Sequence, residues 1–169
     1  MREQQLKRPL PEHKGGNAGP AAGKPAAIPV VPARPNPLPT PIANPHYNAI
    51  GGEATLRLLV QRFYALMDEL PQAHAIRAMH PADLSQSMER LFMFLSGWLG
   101  GPQLYVERFG HPRLRQAHMT FPIDEAARNA WMDCMTQALH EQVGDDALRA
   151  QLIAAFYKTA DFLRNQSGA

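Results

Sequence analysis

The sequence predicts an all-α domain preceded by a proline-rich tail, and three observations carry this prediction. Apolar side chains beyond residue 51 recur every three or four residues in four separate runs, as on the buried face of a helix. No stretch alternates apolar and polar residues in the manner of a half-buried strand. Eleven of the 16 prolines precede Tyr47, whereas the four runs contain none. A chain of 169 residues has room for about one domain.

The segment 1–46 is rich in proline and poor in bulky apolar residues, so it cannot bury enough surface to offset the entropy lost on ordering. We expect a disordered tail there, partly polyproline II, and a folded domain at 47–169. The tail holds six Lys or Arg against two Glu, and the whole chain has a net charge of only +2. Because the basic charge lies in the tail, it does not indicate a nucleic-acid-binding domain.

The first two helices are predicted from runs at 56–70 and 84–95. The first run stops at Pro71, and the second ends at the GGP of 100–102, where glycine and proline interrupt helical hydrogen bonding. Tyr64 lies at the edge of the first apolar face, and spacing alone makes it a core residue. Trp98, near the end of the second helix, is also predicted to belong to the core.

The third and fourth helices are predicted from runs at 127–143 and 148–163. Trp131 has core spacing in the third, as does Cys134, the single cysteine, which cannot form an internal disulfide. Gly144 separates the two helices, and either Asp145 or Asp146 can accept the free N–H groups that begin the fourth.

The connection between the second and third helices contains two histidines and is too irregular for a full helix. His111 precedes Pro112, which is well suited to begin a short helix that ends at about His118. His118 then projects from the last turn of this helix. The carbonyl of Leu114, four residues earlier, is the natural partner for the second nitrogen of a metal-binding imidazole.

The phrase GHPRLRQAH, flanked by GWLGGP and Tyr105 on one side and by Phe121 and Trp131 on the other, resembles group II truncated haemoglobins. The resemblance covers essentially all of 47–169. It implies a two-on-two helical globin fold that binds haem b. It also implies that His118 is the axial iron ligand, with Leu114 orienting it.

The resemblance assigns further positions to the haem pocket. It places Tyr64, His80, Ser87 and Trp131 on the distal, ligand-binding side; at the position of His80 the family has tyrosine, histidine or phenylalanine. Leu91 follows Ser87 one turn further along the same helix. The predicted apolar wall comprises Phe63, Met88, Phe92, Phe94 and Phe121. The residues predicted to contact the haem propionates are Arg90, Tyr105 and Arg113.

The implied function is binding of oxygen and other small diatomic ligands at haem iron. The Trp131 N–H and the Tyr64 O–H are potential hydrogen-bond donors that slow ligand release, whereas a neutral His80 either accepts from Tyr64 or donates to the ligand. This polarity favours redox or detoxification chemistry of oxygen, nitric oxide, peroxide or sulfide over bulk oxygen transport. Activity as a peroxidase or nitric oxide dioxygenase would need a separate reductase, because the chain has no flavin or nicotinamide fingerprint.

An alternative hypothesis is a small helical interaction module that has lost its haem and recruits partners through the tail. No apolar run approaches the length needed to cross a bilayer, and no secretion signal is recognisable, so we expect a cytoplasmic protein without a membrane partner. A homodimer is left open.

Overall fold

The computed structural model describes residues 45–167, and the regular secondary structure within them consists of helices joined by turns and loops. The predicted tail lies outside the described residues, apart from Pro45 and His46. The short helix α1 spans His46–Ala49, so the helical part begins at the last residue assigned to the tail. None of the described helices is long and apolar enough to cross a membrane.

Four long helices form the frame, as the apolar periodicity predicts. They are α2 (Gly52–Glu69), α4 (Ser85–Trp98), α7 (Glu125–Gln142) and α8 (Asp146–Phe162). Helix α2 packs against both α4 and α7, and α7 packs against α8. Two helix pairs, α2 with α4 and α7 with α8, are thereby joined through α2 and α7, which is the predicted two-on-two arrangement.

The ends of these helices follow from local chemistry. The peptide N–H of Leu148 donates to the Asp145 carboxylate at 2.9 Å, so Asp145, and not Asp146, caps α8. The N–H of Ala127 donates in the same way to Asp124 at 2.8 Å and caps α7. Pro71 ends α2 by beginning a 3₁₀ turn, Pro71–Ala73.

Two short helices that the sequence analysis does not predict lie in the connections. Helix α3 (His74–Ala78) follows the 3₁₀ turn, and α5 (Leu104–Phe109) packs against α4. The predicted histidine helix, α6, begins at Leu114 and not at Pro112, and it ends at His118. The start at Pro112 is therefore wrong, because Arg113 takes a left-handed conformation with φ 40° and separates the proline from the helix.

The core lies between α2, α4, α7 and α8. Its largest fully buried side chains are Phe63, Leu56, Leu59, Leu66, Met67, Leu95, Leu99, Met135, Leu139 and Leu152. At one edge the Tyr47 ring lies against Gly101, and the Tyr47 N–H donates to the Leu99 carbonyl at 2.9 Å. This contact fastens α1 to the turn that follows α4.

Candidate functional site

A cavity of about 430 Å³ opens among α2, α4, α6, α7, α8 and the corner after α3. Its volume is within the range of small-molecule sites, roughly 300–1,000 Å³. Much of the wall is apolar, and a few polar side chains converge on it. The lining includes Tyr64, Ile76, His80, Ser87, Arg90, Leu91, Phe94, Trp98, Leu114, His118, Phe121, Ile123, Arg128, Trp131, Phe156 and Thr159.

His118 reaches the cavity from the last turn of α6. Its Nδ1 lies 2.7 Å from the Leu114 carbonyl oxygen, so the predicted orienting hydrogen bond is confirmed. A carbonyl can only accept, and Nδ1 therefore carries the proton. In the neutral imidazole the lone pair is then on Nε2, the nitrogen that would bind a metal.

His80 is held in the same way at another part of the wall. Its Nδ1 lies 2.8 Å from the Ile76 carbonyl, which requires Nδ1 to be the donor and leaves the lone pair on Nε2. Of the two roles left open by the sequence, a neutral His80 is thus equipped to accept a hydrogen bond and not to donate one. The His80 and Tyr64 ring centroids are 5.7 Å apart.

Tyr64 is 5% exposed, and burial raises the pKa of its phenol to about 12. The Ser87 side chain acts in the opposite direction and lowers the Tyr64 pKa, but the effect of burial is larger. Tyr64 therefore keeps its proton over the physiological range.

Aromatic rings connect the two sides of the cavity. Trp98 stacks on Phe156 with a centroid distance of 4.7 Å, and Phe156 contacts Trp131 at 5.9 Å. The series continues through Phe63, which is 5.1 Å from Trp131 and 5.0 Å from Tyr64. Trp131 is thus placed by rings from α2 and α8, while it lines the cavity itself.

Arg128, which the sequence analysis did not single out, brings a buried charge to the cavity wall. Its side chain is only 6% exposed. The guanidinium donates to Asp161 at 2.5 Å, to the Tyr157 hydroxyl at 2.9 Å and to Glu125 at 3.1 Å. Because its charge is paired with two carboxylates, Arg128 links α7 to α8 and does not present an uncompensated charge to the cavity.

The other predicted pocket residues divide into two groups. Five of them line the cavity together with His118 and the four predicted distal residues: Arg90, Leu91, Phe94, Leu114 and Phe121. Within 45–167, the structure does not bring Phe63, Met88, Phe92, Tyr105 or Arg113 into the lining. Phe63 is fully buried behind Trp131, and Tyr105 lies behind Phe94 with their rings 6.3 Å apart.

Trp98 packs against the core, as its spacing on α4 predicts, and stacks on the buried ring of Phe156. It is only half-buried, however, and it also lines the cavity, which was not predicted. An apolar periodicity identifies the inward face of a helix, but it does not distinguish a packed core from a cavity. Arg128 had a usable signal: it lies three residues before Trp131, on the inward face of α7.

The residues fit the haem that the resemblance implies. Within the described residues, no group of three or more His, Cys, Asp or Glu side chains could hold a metal ion by themselves. A single oriented imidazole in an apolar cavity suits a metal whose remaining ligands belong to a macrocycle. His118 supplies that imidazole, and the aromatic and aliphatic wall matches an apolar ring system.

Comparisons with known proteins agree with this geometry. The family model described as bacterial-like globin matches residues 45–165. The group 2 truncated haemoglobin YjbI of Bacillus subtilis is 36% identical over 126 residues, which make up 75% of this chain and 92% of that protein.

Two solved structures are also similar. The group II 2-on-2 haemoglobin of Agrobacterium tumefaciens is 45% identical, with a TM-score of 0.70 over 72% of this chain and 94% of that one. The cold-adapted truncated haemoglobin of Pseudoalteromonas haloplanktis is 42% identical, with a TM-score of 0.70 over 71% and 97% of the two chains. The chain therefore belongs to the bacterial-like globin family as a group II truncated haemoglobin, and its cofactor is haem b.

Proposed function

We propose that this truncated haemoglobin retains small gaseous ligands strongly and serves redox or detoxification chemistry more than bulk oxygen transport. When bound, the haem supplies an iron site for a diatomic ligand and one-electron chemistry. The observation that carries the proposal is the gathering of Tyr64, His80 and Trp131 around the cavity that His118 also lines.

His118 is the axial ligand in this proposal. Its Nδ1–H donates to the Leu114 carbonyl, which fixes the ring and makes Nε2 a better electron-pair donor. His118→Ala is expected to lose tight haem binding and the Soret band. His111→Ala is the matched control, because His111 lies in the same segment but is exposed and does not line the cavity.

Tyr64 and Trp131 are proposed as donors to a ligand in the distal part of the cavity. A hydrogen bond contributes about 0.5–1.5 kcal/mol, or roughly three- to tenfold in an equilibrium constant. Tyr64→Phe and Trp131→Phe are each expected to accelerate oxygen dissociation by about this factor, measured by stopped-flow displacement. Tyr47→Phe, at a half-buried tyrosine outside the lining, is the control, and equal rates in all three variants would refute the proposed donors.

His80 has a different role in the proposal. Since its Nδ1 donates to the Ile76 carbonyl, Nε2 is a hydrogen-bond acceptor that can accept a hydrogen bond from the Tyr64 hydroxyl or take a proton from a peroxide entering the cavity. His80→Phe is therefore expected to slow peroxide consumption without accelerating oxygen release. Faster oxygen release, matching that of Tyr64→Phe, would show that His80 donates to the ligand.

Sustained turnover requires an electron source, which we propose is a separate reductase. The discriminating measurement is repeated oxidation and reduction of the haem protein with nitric oxide or peroxide in the presence of a ferredoxin or flavin reductase. Rapid, reversible oxygen release without turnover would favour transport instead.

A further inference from the structure

The residue Asn165, beyond the end of α8, binds the turn that follows His118. Its Nδ2 donates to the carbonyls of His118 and Phe121 at 3.0 and 2.9 Å. Its Oδ1 accepts from the Ile123 N–H at 3.0 Å. The backbone N–H groups of Asn165 and Gln166 both donate to the Ile123 carbonyl, at 2.9 and 3.1 Å. Five hydrogen bonds thus join this turn to 165–166.

Helix α6 needs such support because it has only five residues. A helix of this length is not stable by itself in water, and the carbonyls of its last turn have no partners within the helix. His118 is the last residue of α6, and its own carbonyl is one of those groups. The His118 carbonyl accepts from the Phe121 N–H at 3.1 Å, and Asn165 adds a second donor to it and a donor to the Phe121 carbonyl.

A second contact holds the same helix from the same segment of the chain. The Arg115 guanidinium donates to the Phe162 carbonyl and lies 5.2 Å from the centre of the Phe162 ring. Helix α6 is therefore attached to 162–166 both through its side and through its C-terminal end. The hydrogen bond within α6, from His118 to the Leu114 carbonyl, fixes the imidazole ring relative to α6. The contacts with 162–166 fix α6 relative to α8.

We propose that Asn165 is a positioning residue for His118, which sets how the imidazole Nε2 enters the cavity. This inference rests on the proposed role of His118 as axial ligand. If the turn at 118–121 relaxes, the imidazole moves with it, because its Nδ1 stays bonded to the Leu114 carbonyl in the same short helix. The iron–histidine bond then takes up the displacement.

The test uses the haem-loaded, full-length protein in its ferrous, ligand-free form. Resonance Raman spectroscopy measures the iron–histidine stretching frequency, and transfer to apomyoglobin measures haem loss. Asn165→Asp retains an oxygen for the Ile123 N–H but removes both donors, and Asn165→Ala removes all three side-chain hydrogen bonds. Both variants are expected to shift the stretching frequency and to speed haem loss about tenfold, as changes behind a metal ligand do.

Gln166→Ala is the matched control, since it preserves the backbone N–H that donates to Ile123 and alters only an exposed side chain. Its frequency and rate of haem loss should equal those of the wild type. An unshifted frequency in folded Asn165→Asp, even with lowered thermal stability, would overturn the inference and leave Asn165 a purely structural residue. If Asn165→Ala fails to fold, the nearly isosteric Asn165→Asp decides the question.

The two proposals fail in different ways. Persistence of the iron–histidine band in His118→Ala would refute the axial role of His118 itself. A band that is lost in His118→Ala but unmoved in both Asn165 variants would refute only the positioning role.

Discussion

Gly101→Ala tests the contact that fastens α1 to the end of α4. A Cβ at position 101 would lie 2.5 Å from two carbons of the Tyr47 ring and 2.8 Å from a third. The Tyr47 ring is not free to move away, because the Tyr47 backbone N–H donates to the Leu99 carbonyl at 2.9 Å and holds the residue in place. Overpacking of this kind costs about 1–3 kcal/mol of unfolding free energy. For a helical part of this size, that corresponds to a fall of roughly 4–12 °C in Tm.

The assay is urea and thermal unfolding of the haem-loaded protein, with Gly144→Ala as the matched control. A Cβ at 144 meets nothing within 4 Å, and Gly144 does not have a positive φ. That control is expected to be neutral or stabilising by about 0.4–1 kcal/mol, through the reduced entropy of the unfolded chain. Equal stability of the two glycine variants would refute the reasoning. When Tyr47→Ala is already present, Gly101→Ala should lower the unfolding free energy much less, because the ring that the new methyl group would contact is gone.

Three further predictions concern side chains that the structure buries or binds. Burial raises the Tyr64 pKa to about 12, from a value near 10 in the unfolded chain. The phenol therefore loses its proton at a lower pH in the unfolded chain than in the folded one, and the unfolding free energy falls as the pH rises from about 10 to 12. The wild type should therefore lose about 2–3 kcal/mol relative to Tyr64→Phe over that window, measured by urea unfolding, and a constant difference would contradict the shift. Arg128→Met is expected to lower the unfolding free energy by about 1.5–3 kcal/mol because the Asp161 and Glu125 carboxylates lose the guanidinium that pairs with them. Glu53→Gln, in an exposed pair with Arg57, should change it by about 0.5 kcal/mol or less. Asp145→Ala should lower the unfolding free energy by about 1 kcal/mol, because it removes the N-terminal cap of α8. The measurement is thermal unfolding monitored by circular dichroism. A smaller effect than that of Asp146→Ala would contradict the assigned cap.

The relation between His118 and Leu114 could be predicted from the sequence because a helix fixes the distance between a side chain and the carbonyl four residues earlier. The start of α6 could not. Proline favours the first helical position, but it carries no information about the left-handed φ of Arg113 that follows it. The four long helices were predictable because each carries a long apolar face, whereas α5, with six residues, is too short for such a pattern to be distinctive.

Tyr64 and Trp131 needed the family resemblance, since their spacing fits ordinary core residues equally well. Trp98 shows the same ambiguity, because it packs against the core as predicted and also lines the cavity. The role of Asn165 depends on two segments more than forty residues apart meeting in space, as its bond to His118 spans 47 positions. The residue pattern around Asn165 contains no information about its contact with the turn after His118.

The placement of Trp98 and Trp131 has a consequence for optical measurements. They are the two tryptophans of the chain, and both line the cavity. A haem in the cavity would be close enough to each indole to take up its excitation energy. Intrinsic fluorescence should therefore be weak in the loaded protein and rise as haem departs, so that the chain reports its own cofactor occupancy without an added dye.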